Sequence, residues 1–226
     1  MRKICFIGDI HGKFETLRKI VAEERLHDRT DTFICCGEFG VWQYYRSFND
    51  LRISDGAKVL FCDGNHEDHP YLNSFHEKQN SPVAEVRPNV FHVARGHVVE
   101  IDEKKFLFVG GAESVDYSLR TPGLDWFPEE SISAADAERA MSAGRVDVVV
   151  SHTRPSEFKA FPRFRPSMSQ FALDSVLDTA RPSHWFFSHY HESTSGRYVF
   201  EDTGETTDFY CLNMVPFVGS KNYYFT

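Results

Sequence analysis

The chain has 226 residues, a formal net charge of −8 and a pI near 5.7, with 41% hydrophobic and 15% aromatic residues, 21 of them Phe. That length and apolar content suit one well-buried domain over residues 1–226 and exclude a disordered chain. The acidic balance speaks against a general polyanion-binding surface, and the apolar runs are only strand-sized, too short to span a bilayer.

Met1-Arg2-Lys3 leads straight into Ile4-Cys5-Phe6-Ile7, so the sequence predicts a first strand at 4–7 with no signal peptide before it, and a cytoplasmic protein. Phe14, Leu17, Ile20 and Val21 then recur at helical spacing. Strands are predicted at 32–36, 58–62, 90–94, 98–101 and 105–109, with a helix over 42–51. Further strands follow at 146–150, 185–187, 197–200 and 208–212. The Ala-rich stretch 132–143 reads as a helix closed by Gly144, and 169–180 as another that stops before Pro182. Cys5, Cys35, Cys36, Cys62 and Cys211 lie in or beside apolar runs without framework spacing, which predicts reduced, buried thiols. The first third alternates strand and helix while the end is mostly strand. This pattern predicts an α/β core extended by antiparallel strands, in two packed sheets flanked by helices. Two irregular stretches, 113–130 and 154–166, are long enough to suggest functional loops.

Five short blocks carry the chemistry: Asp9-Ile10-His11, Gly37-Glu38, Gly64-Asn65-His66-Glu67, Ser151-His152 and Ser188-His189-Tyr190-His191. Each follows a predicted strand, so one fold can bring all five to a single sheet edge. Singly, each has an ordinary reading: Asp9 as a helix cap, Glu38 as a solvated turn carboxylate, Gly64-Asn65 as a tight turn. Together, carboxylates, imidazoles and an amide oxygen make a ligand set for two divalent cations. His27, His69, His76, His92, His97 and His184 lack such context and read as surface or packing residues.

In this order the blocks resemble the calcineurin-like metallophosphoesterase family, whose pattern is Asp-x-His, Gly-Asp, Gly-Asn-His-Asp/Glu, a lone His and Gly-His-x-His. Gly110-Gly111-Ala112-Glu113-Ser114 through Trp126-Phe127-Pro128-Glu129-Glu130 also resembles the smaller phage and bacterial members. The resemblance implies a four-layer αββα sandwich. It further implies one metal on Asp9, His11 and His191, a second on Asn65, His152 and His189, Glu38 bridging them, and His66 as general acid. The reaction it implies is hydrolysis of a phosphate mono- or diester by hydroxide held between two divalent ions, Mn first, with Fe, Zn, Co or Ni as alternatives.

The sequence departs from that pattern twice, with Glu38 in place of Asp and Ser188 in place of Gly. Glu38 leaves room for a catalytically weakened metal-binding interaction module as an alternative. The basic residues Arg154, Lys159, Arg163 and Arg165 leave room for a nuclease of the same fold, against the net charge. Arg120 and Arg154 are candidate phosphate contacts, and Trp126, Phe127, Phe158, Phe161 and Phe164 either stack a base or pack the loops. The expected partner is a small phosphorylated molecule, with a nucleotide as one candidate.

Overall fold

A computed structural model describes residues 3–26, 30–161, 165–215 and 223–225. Among these, the strands form two six-stranded mixed sheets. The first has the order β12-β1-β2-β3-β5-β4, built from β1 (Ile4–Ile7), β2 (Thr32–Cys35), β3 (Lys58–Phe61), β4 (Val83–Arg87), β5 (Val90–Val93) and β12 (Tyr223–Phe225). The second has the order β10-β11-β9-β8-β7-β6, from β6 (His97–Ile101), β7 (Lys104–Val109), β8 (Val148–Ser151), β9 (His184–Phe187), β10 (Thr194–Val199) and β11 (Thr206–Cys211). β1, β2, β3 and β5 run parallel, as do β7, β8, β9 and β11, and an antiparallel strand closes each outer edge.

Strand alternation sorts the core into three layers. Ile4, Phe6, Ile34, Cys36, Leu60 and Cys62 point inward and meet Phe106, Phe108, Val148, Val150 and Phe186 of the other sheet. Their neighbours Cys5, Ile7, Phe33, Cys35, Val59 and Phe61 point outward, under Leu17, Ile20 and Val21 of α1 (Phe14–Leu26) and Leu72 of α3 (His69–Gln79). On the far side, Leu107, Val149, Trp185 and Phe187 lie under Ala140 of α4 (Ala134–Ser142) and Leu173, Val176 and Leu177 of α5 (Met168–Ala180). The predicted sandwich is therefore present: helices, two mixed sheets, helices. All five thiols are free and buried. No helix among the described residues is long and apolar enough to cross a membrane.

Local sequence fixes the starts of the two helices on the second sheet. Ser133 with Asp136, and Ser167 with Gln170, make reciprocal capping boxes at the starts of α4 and α5. The helix expected over 42–51 shrinks to one turn, α2 (Arg46–Asn49), because only Phe48 and Leu51 turn inward while Tyr44 and Tyr45 stay exposed. Conversely α3 has no counterpart in the sequence reading; Asp68 caps it through Tyr71 N, but its apolar face is broken by polar residues.

Phe6 and Phe186 stack face to face between the sheets, with ring centroids 3.6 Å apart. Phe186→Ala is expected to lower unfolding free energy by about 3–5 kcal/mol in chemical denaturation. A loss under about 1 kcal/mol would show that this contact does not hold the two sheets together.

Candidate metal centre

The five blocks emerge at the C-terminal ends of parallel strands. Asp9 and His11 follow β1, Glu38 follows β2, Asn65 and His66 follow β3, His152 follows β8, and His189 and His191 follow β9. Each chain must turn sharply there. His11 (φ 49), Glu38 (φ 44), His189 (φ 73) and His191 (φ 52) all adopt the left-handed region that side-chain-bearing residues avoid. At roughly 1–2 kcal/mol per residue, four such positions are a substantial strain at one place, as expected of a functional site.

The side chains fall into two groups. Asp9, His11 and His191 place one ligand atom each within 4.8 Å of one another. His191 Nε2 is 3.0 Å from His11 Nε2 and 3.3 Å from Asp9 Oδ2. In the second group, His152 Nε2 lies 2.9 Å from Asn65 Oδ1 and 3.1 Å from His189 Nδ1. Glu38 sits between them, with Oε2 3.4 Å from His11 Nδ1 and Oε1 3.5 Å from His152 Nε2. Glu38 Oε1 also accepts the backbone N–H groups of Asn65 and His66, at 3.2 and 3.0 Å.

Two observations test whether these residues fit cations. First, Glu38 Oε2 is buried and has no hydrogen-bond partner, an arrangement that is costly for a carboxylate unless a cation completes it. Second, His152 Nδ1 lies 3.1 Å from the carbonyl of Cys36, which can only accept, so the proton is on Nδ1. The other nitrogen, Nε2, then faces the oxygens of Asn65 and Glu38 and the ring nitrogen of His189. A proton or a metal ion on Nε2 makes its contacts with the Asn65 and Glu38 oxygens attractive. Burial disfavours charge on His152, but Glu38 and Asp9 outweigh it and raise its pKa to about 9. Burial and the charge of His152 push His189 down to about 3. Asp9, although buried, is held below the ordinary carboxylate range by His191, His152 and His11. The residues fit.

A cleft of about 550 Å³ opens over both groups, lined among others by His66, Glu113, Thr153, Arg165, Gln170 and Tyr190. Arg120 Nη2 lies 2.6 and 3.0 Å from the two nitrogens of His66, so the predicted acid and the predicted phosphate contact are adjacent. Arg154 is not among the lining residues. It is buried, and Nη1 donates to the carbonyls of Pro155, Ser156 and Phe158. Lys159 pairs with Glu157, while Phe158 and Phe161 stack on Phe209 and Tyr190. Phe127 is buried and Trp126 lies beside Tyr117. His27, Arg163 and Phe164 lie outside the described residues.

Several residues that matter here carried no role in the sequence reading. Of the two readings left open for His69 and His92, surface or packing, burial supports packing; both lie beside Asp63, which Arg95 also pairs. Ser188 Oγ lies in hydrogen-bond contact with Asp9 Oδ1 and 2.8 Å from Cys36 O, contacts that the family's Gly at this position could not make. Glu67 accepts the backbone N–H groups of Phe39, Gly40 and Val41. Its signal was present in the sequence, as the fourth residue of the Gly-Asn-His-Glu block.

His152 must lose its proton to bind a metal ion, so metal affinity is expected to rise with pH up to about 9 and level off above it. Calorimetric titration with Mn²⁺ at several pH values, in buffers of different ionisation enthalpy, checks this. Affinity that is flat between pH 6 and 9, without proton release, would show that His152 is already neutral in the metal-free protein.

A sequence profile described as calcineurin-like phosphoesterase matches residues 2–193. A comparison with curated proteins finds no significant match. Among solved structures, a dimetal phosphatase from Danio rerio is similar over 99% of this chain and 91% of that chain, with TM-score 0.57 and 16% identity. A hypothetical protein from Thermus thermophilus is similar over 96% of this chain and 79% of its own, with TM-score 0.52 and 20% identity. A second protein from that organism has TM-score 0.52 and 14% identity, over 92% of this chain and 88% of its own. At these identities the likeness is one of fold.

Proposed function

The chain belongs to the calcineurin-like phosphoesterase family, and from that premise we propose that it hydrolyses a small phosphate mono- or diester with two divalent ions, Mn²⁺ foremost. The observation that carries this reading is Glu38, whose two carboxylate oxygens face the two ligand groups from between them. Asp9, His11 and His191 would hold one ion, and Asn65, His152 and His189 the other. When bound, such ions supply Lewis acidity: they make water a nucleophile near neutral pH and draw charge from the phosphoryl oxygens.

The chain's own groups do the rest. His66 lines the cleft, where it can give a proton to the departing oxygen. Arg120, set against the ring of His66, does not line the cleft; its donors go to Asp116, the Asp125 carbonyl, Ser114 and Glu130, so it places a positive charge behind His66 rather than on a phosphoryl oxygen. Arg165, on the cleft wall, offers a positive charge to the phosphates of a substrate. Of the described basic residues in the 154–166 stretch, only Arg165 lines the cleft, which with a net charge of −8 disfavours a polynucleotide substrate. A compact cytoplasmic phosphoester such as a nucleotide suits the site better.

Metal-stripped protein assayed on para-nitrophenyl phosphate and its bis ester, before and after adding Mn²⁺, tests the reading. Turnover should return with the ion, and the preferred ester separates monoesterase from diesterase. No turnover with any divalent ion in folded protein would leave a metal-binding module. Asn65→Ala and His191→Ala should abolish activity, whereas Glu38→Asp should keep or raise it. His66→Ala should slow turnover by about 10²–10⁴ on esters with poor leaving groups and much less on an activated aryl ester. Equal losses on both substrates would remove His66 as the acid.

A further inference from the structure

The proposed chemistry leaves the glycine-led block 110–114 and the 126–130 block without a role, yet the fold joins them at the metal centre. The 3-10 turn Pro128–Glu130 points Glu130, only 2% exposed, back at Ser114. Glu130 Oε1 accepts Ser114 N–H and Oε2 accepts the Ser114 hydroxyl, both at 2.7 Å. Ser114 Oγ is also 2.8 Å from Asn65 Nδ2 and 2.8 Å from Arg120 Nη2. Arg120 Nη1, 3.6 Å from Glu130 Oε2, completes the cluster.

Counting protons fixes the direction of every bond. A hydroxyl has one proton to give and two lone pairs. A carboxylate beside a guanidinium only accepts, so the Ser114 proton goes to Glu130. The lone pairs of Oγ must then receive N–H groups, one from Arg120 and one from Asn65. If the Asn65 amide were turned over, its oxygen would face an oxygen with no proton left. The amide oxygen is thereby directed to the other side, 2.9 Å from His152 Nε2, among the second group of ligands.

We propose that Ser114 and Glu130 are positioning residues that lock the Asn65 amide with its oxygen toward the second ion, and Arg120 against His66. This rests on the two-ion reading above. Neither residue touches an ion or substrate; they act through Asn65 and Arg120, as hydrogen-bonded outer partners of metal ligands do.

The test is Mn²⁺ titration calorimetry and Co²⁺ absorption on wild type, Ser114→Ala, Ser114→Thr and Glu130→Gln, with the melting temperature of each metal-free protein as the folding check. Ser114→Ala should keep the first ion at wild-type affinity and bind the second about 10–100-fold more weakly. The ligand-field band of the second Co²⁺ equivalent should shift or vanish. Ser114→Thr, which keeps the hydroxyl, should restore both. Glu130→Gln, which keeps Ser114 but lets an amide donate to it, should weaken the second ion alone, and it carries the test if Ser114→Ala fails to fold. Two ions bound by a folded Ser114→Ala protein with unchanged affinity would overturn this proposal and leave the two-ion reading standing. Equal weakening of both ions would also overturn it, as a merely structural role. Wild type that takes up a single ion would remove both.

Discussion

Glu67 is the interaction on which the centre's shape depends. Its carboxylate is buried, and it gathers the N–H groups of three consecutive residues, Phe39, Gly40 and Val41. That holds the chain after β2 in a turn that no ladder could satisfy, with Gly37 at φ 104 and Gly40 at φ 93. Glu38 rides on this turn, and its own carbonyl in turn accepts Ile10 N and His11 N from the first block. One buried carboxyl group thus sets three of the five blocks relative to each other. There is no slack in this packing: a Cβ on Gly64 would lie 2.4 Å from Glu38 N, and one on Gly37 would lie 2.2 Å from His152 Nδ1.

The same principle recurs one layer down. Asp63 sits directly before the Gly64-Asn65-His66 turn, buried between Arg95, His92 and His69, and Arg95 lowers it far below an ordinary carboxylate despite burial. Arg95 reaches on to the carbonyls of Glu129, Glu130 and Ser131, while Gly111 N donates to Asp63 O. Asp63 therefore ties the β3 turn to the loop that supplies Glu130. Buried ion pairs of this kind contribute little net stability, because desolvation offsets the attraction. What they provide here is direction, since each fixes which way a loop leaves its strand.

Much of this was legible in the sequence, for definite reasons. The layered fold follows from strand-length apolar runs, and the candidate ligands stand out because each directly follows such a run. The outer details were hidden where tertiary contacts decide. The stretch 42–51 reads as a helix, yet Trp42–Tyr45 forms a turn that leaves Tyr44 and Tyr45 in solvent, and only Arg46–Asn49 is helical. His69 and His92 look like any polar histidine until Asp63 is seen between them. Ser114 and Glu130 are 16 residues apart in a stretch without periodicity, and a loop glutamate reads as solvated until its burial is known. Arg154 shows the opposite error, a cation that reads as a ligand contact but is consumed by the carbonyls of its own loop.

The alternation that splits Cys35 from Cys36 across the first sheet has a use of its own. Cys36 and Cys62 lie between the two sheets, whereas Cys5 and Cys35 lie under α1, and burial raises all four thiols far above their ordinary range. A thiol held protonated reacts with an alkylating reagent only after its layer opens. The two pairs are therefore built-in reporters, one for parting of the sheets and one for peeling of a helix. Their alkylation rates separate the opening of the molecule at its centre from the fraying of its outer face.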